Sequence, residues 1–108
     1  MANTFKPNVA LNVETTGNTV YTCPGATQTT LIGMTLSNKS AGTVTANVFL
    51  RRSSVDYSLI SNAPILTGST LVPIGGDQKV VLQAADVLKV TTSANNSVDT
   101  IVSLQEIA

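Results

Sequence analysis

The chain of 108 residues contains no histidine and no tryptophan, and it has a single cysteine, Cys23. Histidine is the side chain used most often for general acid and base catalysis near neutral pH, so the chain lacks the residue that usually performs this chemistry. One cysteine cannot form an internal disulfide, and without histidine it has no second soft ligand for zinc. We therefore expect a protein that is not an enzyme and that uses no metal or other cofactor.

Charge is also scarce. Charged residues make up 11% of the chain, and six basic residues balance six acidic ones to a formal net charge of zero. A monomer's surface usually carries about 25–35% charged residues, which oppose association. A weakly soluble monomer covered in Ser, Thr and Asn is one interpretation, and a chain whose surface is largely occupied in an assembly is the other. We favour the assembly.

The basic residues do not form a patch. Arg51 and Arg52 are the only basic cluster, and on an alternating strand their side chains point to opposite faces. Binding to nucleic acid needs clustered Lys and Arg, so we expect no nucleic-acid partner. The six acids are scattered as well, and most lie beside turn residues, where an Asp side chain bonds nearby backbone amides. They are Glu14, Asp56, Asp77, Asp86, Asp99 and Glu106.

Long apolar runs are missing too. No stretch reaches the roughly 18 apolar residues of a membrane span, and residues 1–8 lack the apolar core of a signal peptide. We expect a chain that contacts no membrane and is made in a reducing compartment. Residues 1–8 are polar, contain Pro7 and show no periodicity, which predicts a flexible N-terminal arm that orders on a partner. Residues 9–108 then form a single domain.

The residues that are abundant favour strands. Thr and Val are the two commonest residues, and β-branched side chains suit a pleated surface. Turn residues divide the chain into about eight or nine short alternating segments, and no segment has helical periodicity. This pattern predicts an all-β fold, an antiparallel β-sandwich or jelly roll.

Residues 43–52 give the clearest alternation. Val44, Ala46, Val48 and Leu50 are predicted to point inward, with Phe49 as an apolar exception on the outward side.

Other segments carry more local predictions. Residues 9–13 alternate with Val9, Leu11 and Val13 on one face, and residues 29–37 place Ile32, Met34 and Leu36 on one face. Turns are expected at Pro24-Gly25, with glycine supplying the positive φ, and at Gly75-Gly76-Asp77. Pro64 is expected to interrupt a strand. The last strand, residues 98–107, carries only two charges, so it must be central, covered or used for assembly.

Most of the chain resembles a family of small β-sandwich virion proteins of tailed bacteriophages, including those of cyanophages. The family pattern runs from a polar segment with proline through a glycine turn, an "LAGD" corner, an "IKV" strand and an "SVD" start to a closing strand that ends in "EI". Residues 60–107 are similar to it, and residues 19–38 resemble the family's "VYTVPAG" opening. These two stretches read ISNAPILTGSTLVPIGGDQKVVLQAADVLKVTTSANNSVDTIVSLQEI and TVYTCPGATQTTLIGMTLSN. Ala85 departs from the pattern, which has glycine before Asp86; because alanine resists a positive φ, we expect this corner to be built differently.

The resemblance implies a structural protein of the virion, assembled in the host cytoplasm. The first hypothesis is a capsid cement or decoration protein that bridges major capsid subunits, as a homo-oligomer for which we expect a trimer. A neck, collar or tail component is a second hypothesis with the same sequence features. A host-receptor or carbohydrate-binding module is a third, of a different class, and it normally needs more exposed aromatic residues than the chain's four.

Four residues are candidate interface contacts. Phe5 and Lys6 lie on the predicted arm, and Phe49 and Arg51 lie on the strand with the clearest alternation. The alternative for Phe49 is that it fills the core.

Overall fold

A computed structural model describes residues 3–75 and 79–107. In this part of the chain nine strands form two antiparallel sheets that pack face to face, and there is no helix, which confirms the predicted β-sandwich. The strands are β1 (Asn3–Ala10), β2 (Asn18–Thr22), β3 (Gln28–Asn38), β4 (Val44–Arg52), β5 (Val55–Ile65), β6 (Thr70–Ile74), β7 (Val80–Leu82), β8 (Val87–Thr92) and β9 (Val98–Ile107). The predicted turn at Gly75-Gly76-Asp77 lies mostly outside the described residues.

The first sheet has the strand order β1-β9-β3-β6, with β7 also paired to β3, and the second has the order β2-β8-β4-β5. The closing strand β9 is therefore central in its sheet, bonded to β1 on one side and β3 on the other. In this central position the backbone N–H and C=O groups of β9 are paired on both sides, so a strand with few charges does not present an open edge. A central position is one of the three expected arrangements.

The core lies between the two sheets and is built mainly from alternate aliphatic residues. Its largest fully buried side chains are Leu31, Met34, Leu36, Ile65, Ile74, Leu82, Leu88 and Leu104. Burying one such side chain stabilises the fold by about 1.5–3 kcal/mol. In β4 the predicted alternation is confirmed, because Val44, Ala46 and Val48 are buried and Leu50 packs against the core from a half-buried position.

The predicted faces of β3 are wrong in its first half. Leu31 is fully buried, whereas Ile32 is only half buried. The cause is a β-bulge against β9 between Leu31 and Gly33, which adds one residue and shifts the alternation. Met34 and Leu36, beyond the bulge, face the core as predicted.

The predicted flexible arm is also corrected. Residues 3–8 belong to β1, which pairs with β9 along its whole length, from Asn3 opposite Ile107 to Ala10 opposite Thr100. Met1 and Ala2 lie outside the described residues. The sequence does not reveal this strand, because an edge strand is held mainly by backbone hydrogen bonds, which do not require a hydrophobic periodicity. The prediction that Val9 and Leu11 share an inward face with Val13 is wrong for the same segment: only Val13 is buried.

Two further local predictions fail for reasons of backbone geometry. Pro64 does not interrupt β5, because β5 is an edge strand and proline is tolerated where one side of the ladder is unpaired. At the Pro24-Gly25 turn the positive φ belongs to Ala26, at 55°, and not to glycine. Ala85 likewise has a φ of 72°, so the corner before Asp86 keeps the left-handed conformation despite lacking glycine.

Ala85 therefore offers a direct test of backbone strain. An alanine at positive φ is strained by its Cβ, so Ala85→Gly is expected to raise the free energy of unfolding by about 0.5–1 kcal/mol after glycine's greater unfolded-state entropy is subtracted. Ala84→Gly is the matched control, since the neighbouring alanine is also exposed but does not have a positive φ. It should lower the stability. Chemical denaturation of both variants checks the prediction, and a destabilising Ala85→Gly would contradict it.

Candidate functional site

The outer surface of the first sheet has almost no charge. Strand register brings three rows of outward-facing side chains together on β1, β9 and β3, and we call this surface the first-sheet face. Its rows are Phe5–Gln105–Thr30, Pro7–Ser103–Gly33 and Val9–Ile101–Thr35. No residue in these rows is charged, and the nearest acid, Asp99, lies on β9 beyond the last row with its carboxylate 3.0 Å from Lys39 Nζ.

Large apolar side chains stand in solvent on this face. Phe5 is 71% exposed, and Val9, the adjoining Leu11 and Ile101 are all more than half exposed. Single exposed apolar residues are ordinary, but several that share one face mark a surface for protein contact.

A shallow apolar groove crosses one end of the first-sheet face. It has a volume of about 200 Å³ and runs between the end of β1 and the start of β9. Its lining comes from Val9, Ala10, Leu11, Asp99, Thr100 and Ile101. The groove exists because the chain leaves β1 after Ala10 and turns inward to bury Val13, which exposes the side of Leu11.

The second sheet presents a different outer surface. Phe49 lies there beside Lys89 and Ser58, and it is half buried on this outward side, so it does not fill the core. Arg51 Nη1 lies 3.0 Å from Asp56 Oδ1 on the paired strand. This face therefore mixes an aromatic ring with both signs of charge.

The four predicted contact residues do not form one surface. Phe5 lies on the first-sheet face, whereas Lys6, the next residue, points to the other side of β1, and its Nζ lies 2.9 Å from Glu106 Oε1. Phe49 and Arg51 lie together on the second sheet.

Sequence reasoning missed that Val9 and Ile101 lie side by side, because their pairing depends on the register of β1 with β9.

A polar cluster joins the strands beneath Lys6. The Tyr21 hydroxyl donates to Glu106 Oε2 and lies 2.8 Å from Thr29 Oγ1, and the buried Cys23 Sγ lies 3.3 Å from the same Thr29 oxygen. Burial, together with the hydrogen bond to Glu106, raises the pKa of Tyr21 well above its usual range. The hydrogen bonds from Tyr21 and Lys6 lower the pKa of Glu106. The cluster holds β1 and β9 to the second sheet, and every group in it has a partner.

Within residues 3–75 and 79–107, no three His, Cys, Asp or Glu side chains lie close enough to hold a metal ion. No helix in the same part of the chain is long and apolar enough to cross a membrane.

No family model matches the chain, and no curated protein matches it.

Proposed function

We propose that this chain is a non-enzymatic structural protein of a tailed-bacteriophage virion, a cement or decoration protein that helps to hold major capsid subunits together. The observation that carries the proposal is the first-sheet face, which exposes Phe5, Val9 and Ile101 without a charged residue among its rows. Covering a surface of this kind with another protein removes apolar area from water and so lowers the free energy. The virion setting comes from the sequence resemblance.

The edge strands β1 and β5 are protected against pairing with another chain, which favours association through a sheet face instead. β1, at one edge of the first sheet, contains Pro7, which has no backbone donor, and Lys6, which carries a charge on the inward side. In the second sheet, β5 contains Pro64 and pairs with β4 through two bulges. Proline, bulges and inward charges are the devices that prevent edge-to-edge pairing. Association through the edges β1 and β5 is therefore disfavoured, while the first-sheet face is left open.

The charged groups support a structural role in a second way. Lys6, Lys39, Arg51 and Arg52 each form an ion pair with an acid of the same chain. These pairs neutralise one another locally, so the charge that attracts ionic ligands is reduced around them. Contact with a partner then depends on shape and apolar area.

The test is made on virus particles. Particles that lack this protein are expected to lose capsid integrity at a lower temperature than complete particles, and labelled protein is expected on the shell. Unchanged capsid stability together with label confined to the neck or tail would overturn the cement role and favour the neck or tail component. A specific signal in a glycan array or a host-cell binding assay would instead favour a receptor-binding module.

A further inference from the structure

We infer that the first-sheet face binds the same face of a second copy of this chain, with Phe5 of each copy seated in the groove of the other. The inference deepens the proposed structural role and rests on it, because it names the partner that covers this surface.

The groove fits an aromatic ring. Its volume is about 200 Å³, and its lining includes the side chains of Val9, Leu11 and Ile101. An engineered apolar cavity of about 150 Å³ is large enough to bind benzene. Phe5 is the phenylalanine on this face, and at 71% exposure most of its surface is uncovered by the described residues. The chain thus carries both an apolar groove and a side chain of suitable size and chemistry to fill it.

The spacing makes the contact reciprocal. Phe5 and Val9 lie on the same side of β1, four residues and therefore about 13 Å apart. A two-fold axis that lies in the interface and crosses the strands at Pro7 places Phe5 of each copy over Val9 of the other. The row on that axis also contains Ser103, which has a small side chain, and Gly33, which has none, so the two sheets can approach closely there. In a two-fold interface, when residue i of one copy contacts residue j of the other, residue j of the first copy also contacts residue i of the second.

Charge favours a second copy over a different partner. Two identical faces repel each other if they carry net charge, and the rows of this face carry none. The charge beside the groove is that of Asp99, which is paired with Lys39, so the three rows offer a strongly charged partner no ion pair, whereas uncharged rows are complementary to one another.

The area is sufficient for a specific dimer. Beyond β3 the sheet continues with β6 and β7, which pair with successive parts of β3 and together count as one further strand. Four strands about 4.8 Å apart and about 30 Å long present roughly 600 Å² in projection, and side-chain relief raises the accessible area further. A standard interface buries about 800 Å² on each partner. Stacked sheets commonly pack about 10 Å apart with their strands roughly aligned. A trimer needs two different surfaces on each chain, and the self-complementary face therefore replaces the trimer expected from the resemblance with a dimer.

Stacking through the first sheet leaves both second sheets pointing outward. A dimer then presents two copies of the surface that carries Phe49 and Arg51, on opposite sides of the assembly. Two identical surfaces on one rigid dimer can contact two neighbouring subunits at once, which strengthens binding through multivalency.

Sedimentation equilibrium of the purified chain tests the inference. Wild type is expected to form dimers, and Phe5→Ala and Ile101→Lys are each expected to weaken the dimer by at least ~30-fold, the effect of losing a central contact. Tyr57→Ala and Val55→Lys are the matched controls, since Tyr57 is 55% and Val55 is 49% exposed on β5 of the second sheet. Both controls should associate as wild type does. Circular dichroism of each variant shows whether the fold is retained.

Three results would overturn the inference: a wild-type chain that stays monomeric, a trimer, or controls that weaken association as much as the two face variants. Its failure is distinguishable from failure of the proposed function. A monomeric protein whose loss still weakens the particle refutes the dimer alone. A dimer whose loss leaves the particle unchanged refutes the cement role alone.

Discussion

Asn38→Ala is expected to lower the free energy of unfolding by about 3 kcal/mol, because it leaves the buried carbonyl of Ile65 without its Asn38 donor and removes three further hydrogen bonds. The side chain is 2% exposed at the end of β3. Its Nδ2 donates to the carbonyls of Gly42 and Ile65, both at 2.8 Å, and its Oδ1 accepts from the backbone and side chain of Ser40. One amide thus ties β3, the turn after it and the end of β5 together. Urea denaturation measures the loss.

Asn95→Ala is the matched control for Asn38→Ala. Asn95 Oδ1 also accepts a backbone hydrogen bond, from Thr15 at 2.8 Å, but the bond is exposed to water. Water replaces an exposed partner at little cost, so the control should lose less than about 1 kcal/mol. Equal losses in the two variants would show that Asn38 contributes only a local turn contact.

Asp86→Ala is expected to cost about 2–3 kcal/mol at neutral pH, because three hydrogen bonds to a carboxylate are lost. Asp86 is 2% exposed, yet its Oδ1 accepts from Arg52 Nε at 2.8 Å and its Oδ2 accepts from Arg52 Nη2 and from the backbone of Gln83. The backbone of Asp86 pairs with that of Cys23, so the same residue holds the corner after β7 against the end of β2. Replacing Asp56, whose ion pair with Arg51 is exposed, should cost less than about 1 kcal/mol.

The contribution of Asp86 also depends on pH. The hydrogen bonds from Arg52 lower the pKa of Asp86 in the folded protein below its ordinary value. The stabilisation is therefore fully present above the unfolded pKa, near roughly 4, and it is lost as the pH falls through the lower folded pKa. The difference in unfolding free energy between wild type and Asp86→Asn should shrink over that acidic interval. A difference that stays constant with pH would mean that the carboxylate charge contributes nothing.

The sequence predicts the class of the fold because burial between two sheets imposes a period of two. In β4 each core position is aliphatic, and in β9 Val102 and Leu104 alternate with the exposed Ile101, as the pattern indicates. The sequence predictions fail where a bulge breaks the period of two or where burial does not impose it. The bulge in β3 inserts one residue after Leu31, and no residue type marks it in advance.

The candidate site is less predictable than the fold. Phe5 can be singled out from the sequence because an aromatic residue in a polar segment is unusual. The alternation from Val9 to Val13 predicts that Val9 and Leu11 share one face with Val13, and only the pairing of β1 with β9 shows Val9 beside Ile101 in solvent. Pairing between distant strands depends on the whole fold, so local patterns do not contain it. The left-handed Ala26 and Ala85 are unpredicted because glycine or asparagine is expected at a positive φ, where the Cβ of alanine causes strain.

The most direct test of the central claim, that two copies meet through this face with Phe5 over Val9, is a mixing experiment with two variants. Phe5→Lys and Val9→Glu should each be monomeric, because each dimer would bury two unpaired charges. An equimolar mixture should form a dimer in which one Lys meets one Glu and the other contact is the wild-type pair of Phe5 with Val9. Sedimentation equilibrium is expected to show monomers in each separate sample and dimers in the mixture. A mixture that remains as monomeric as its components would contradict the account.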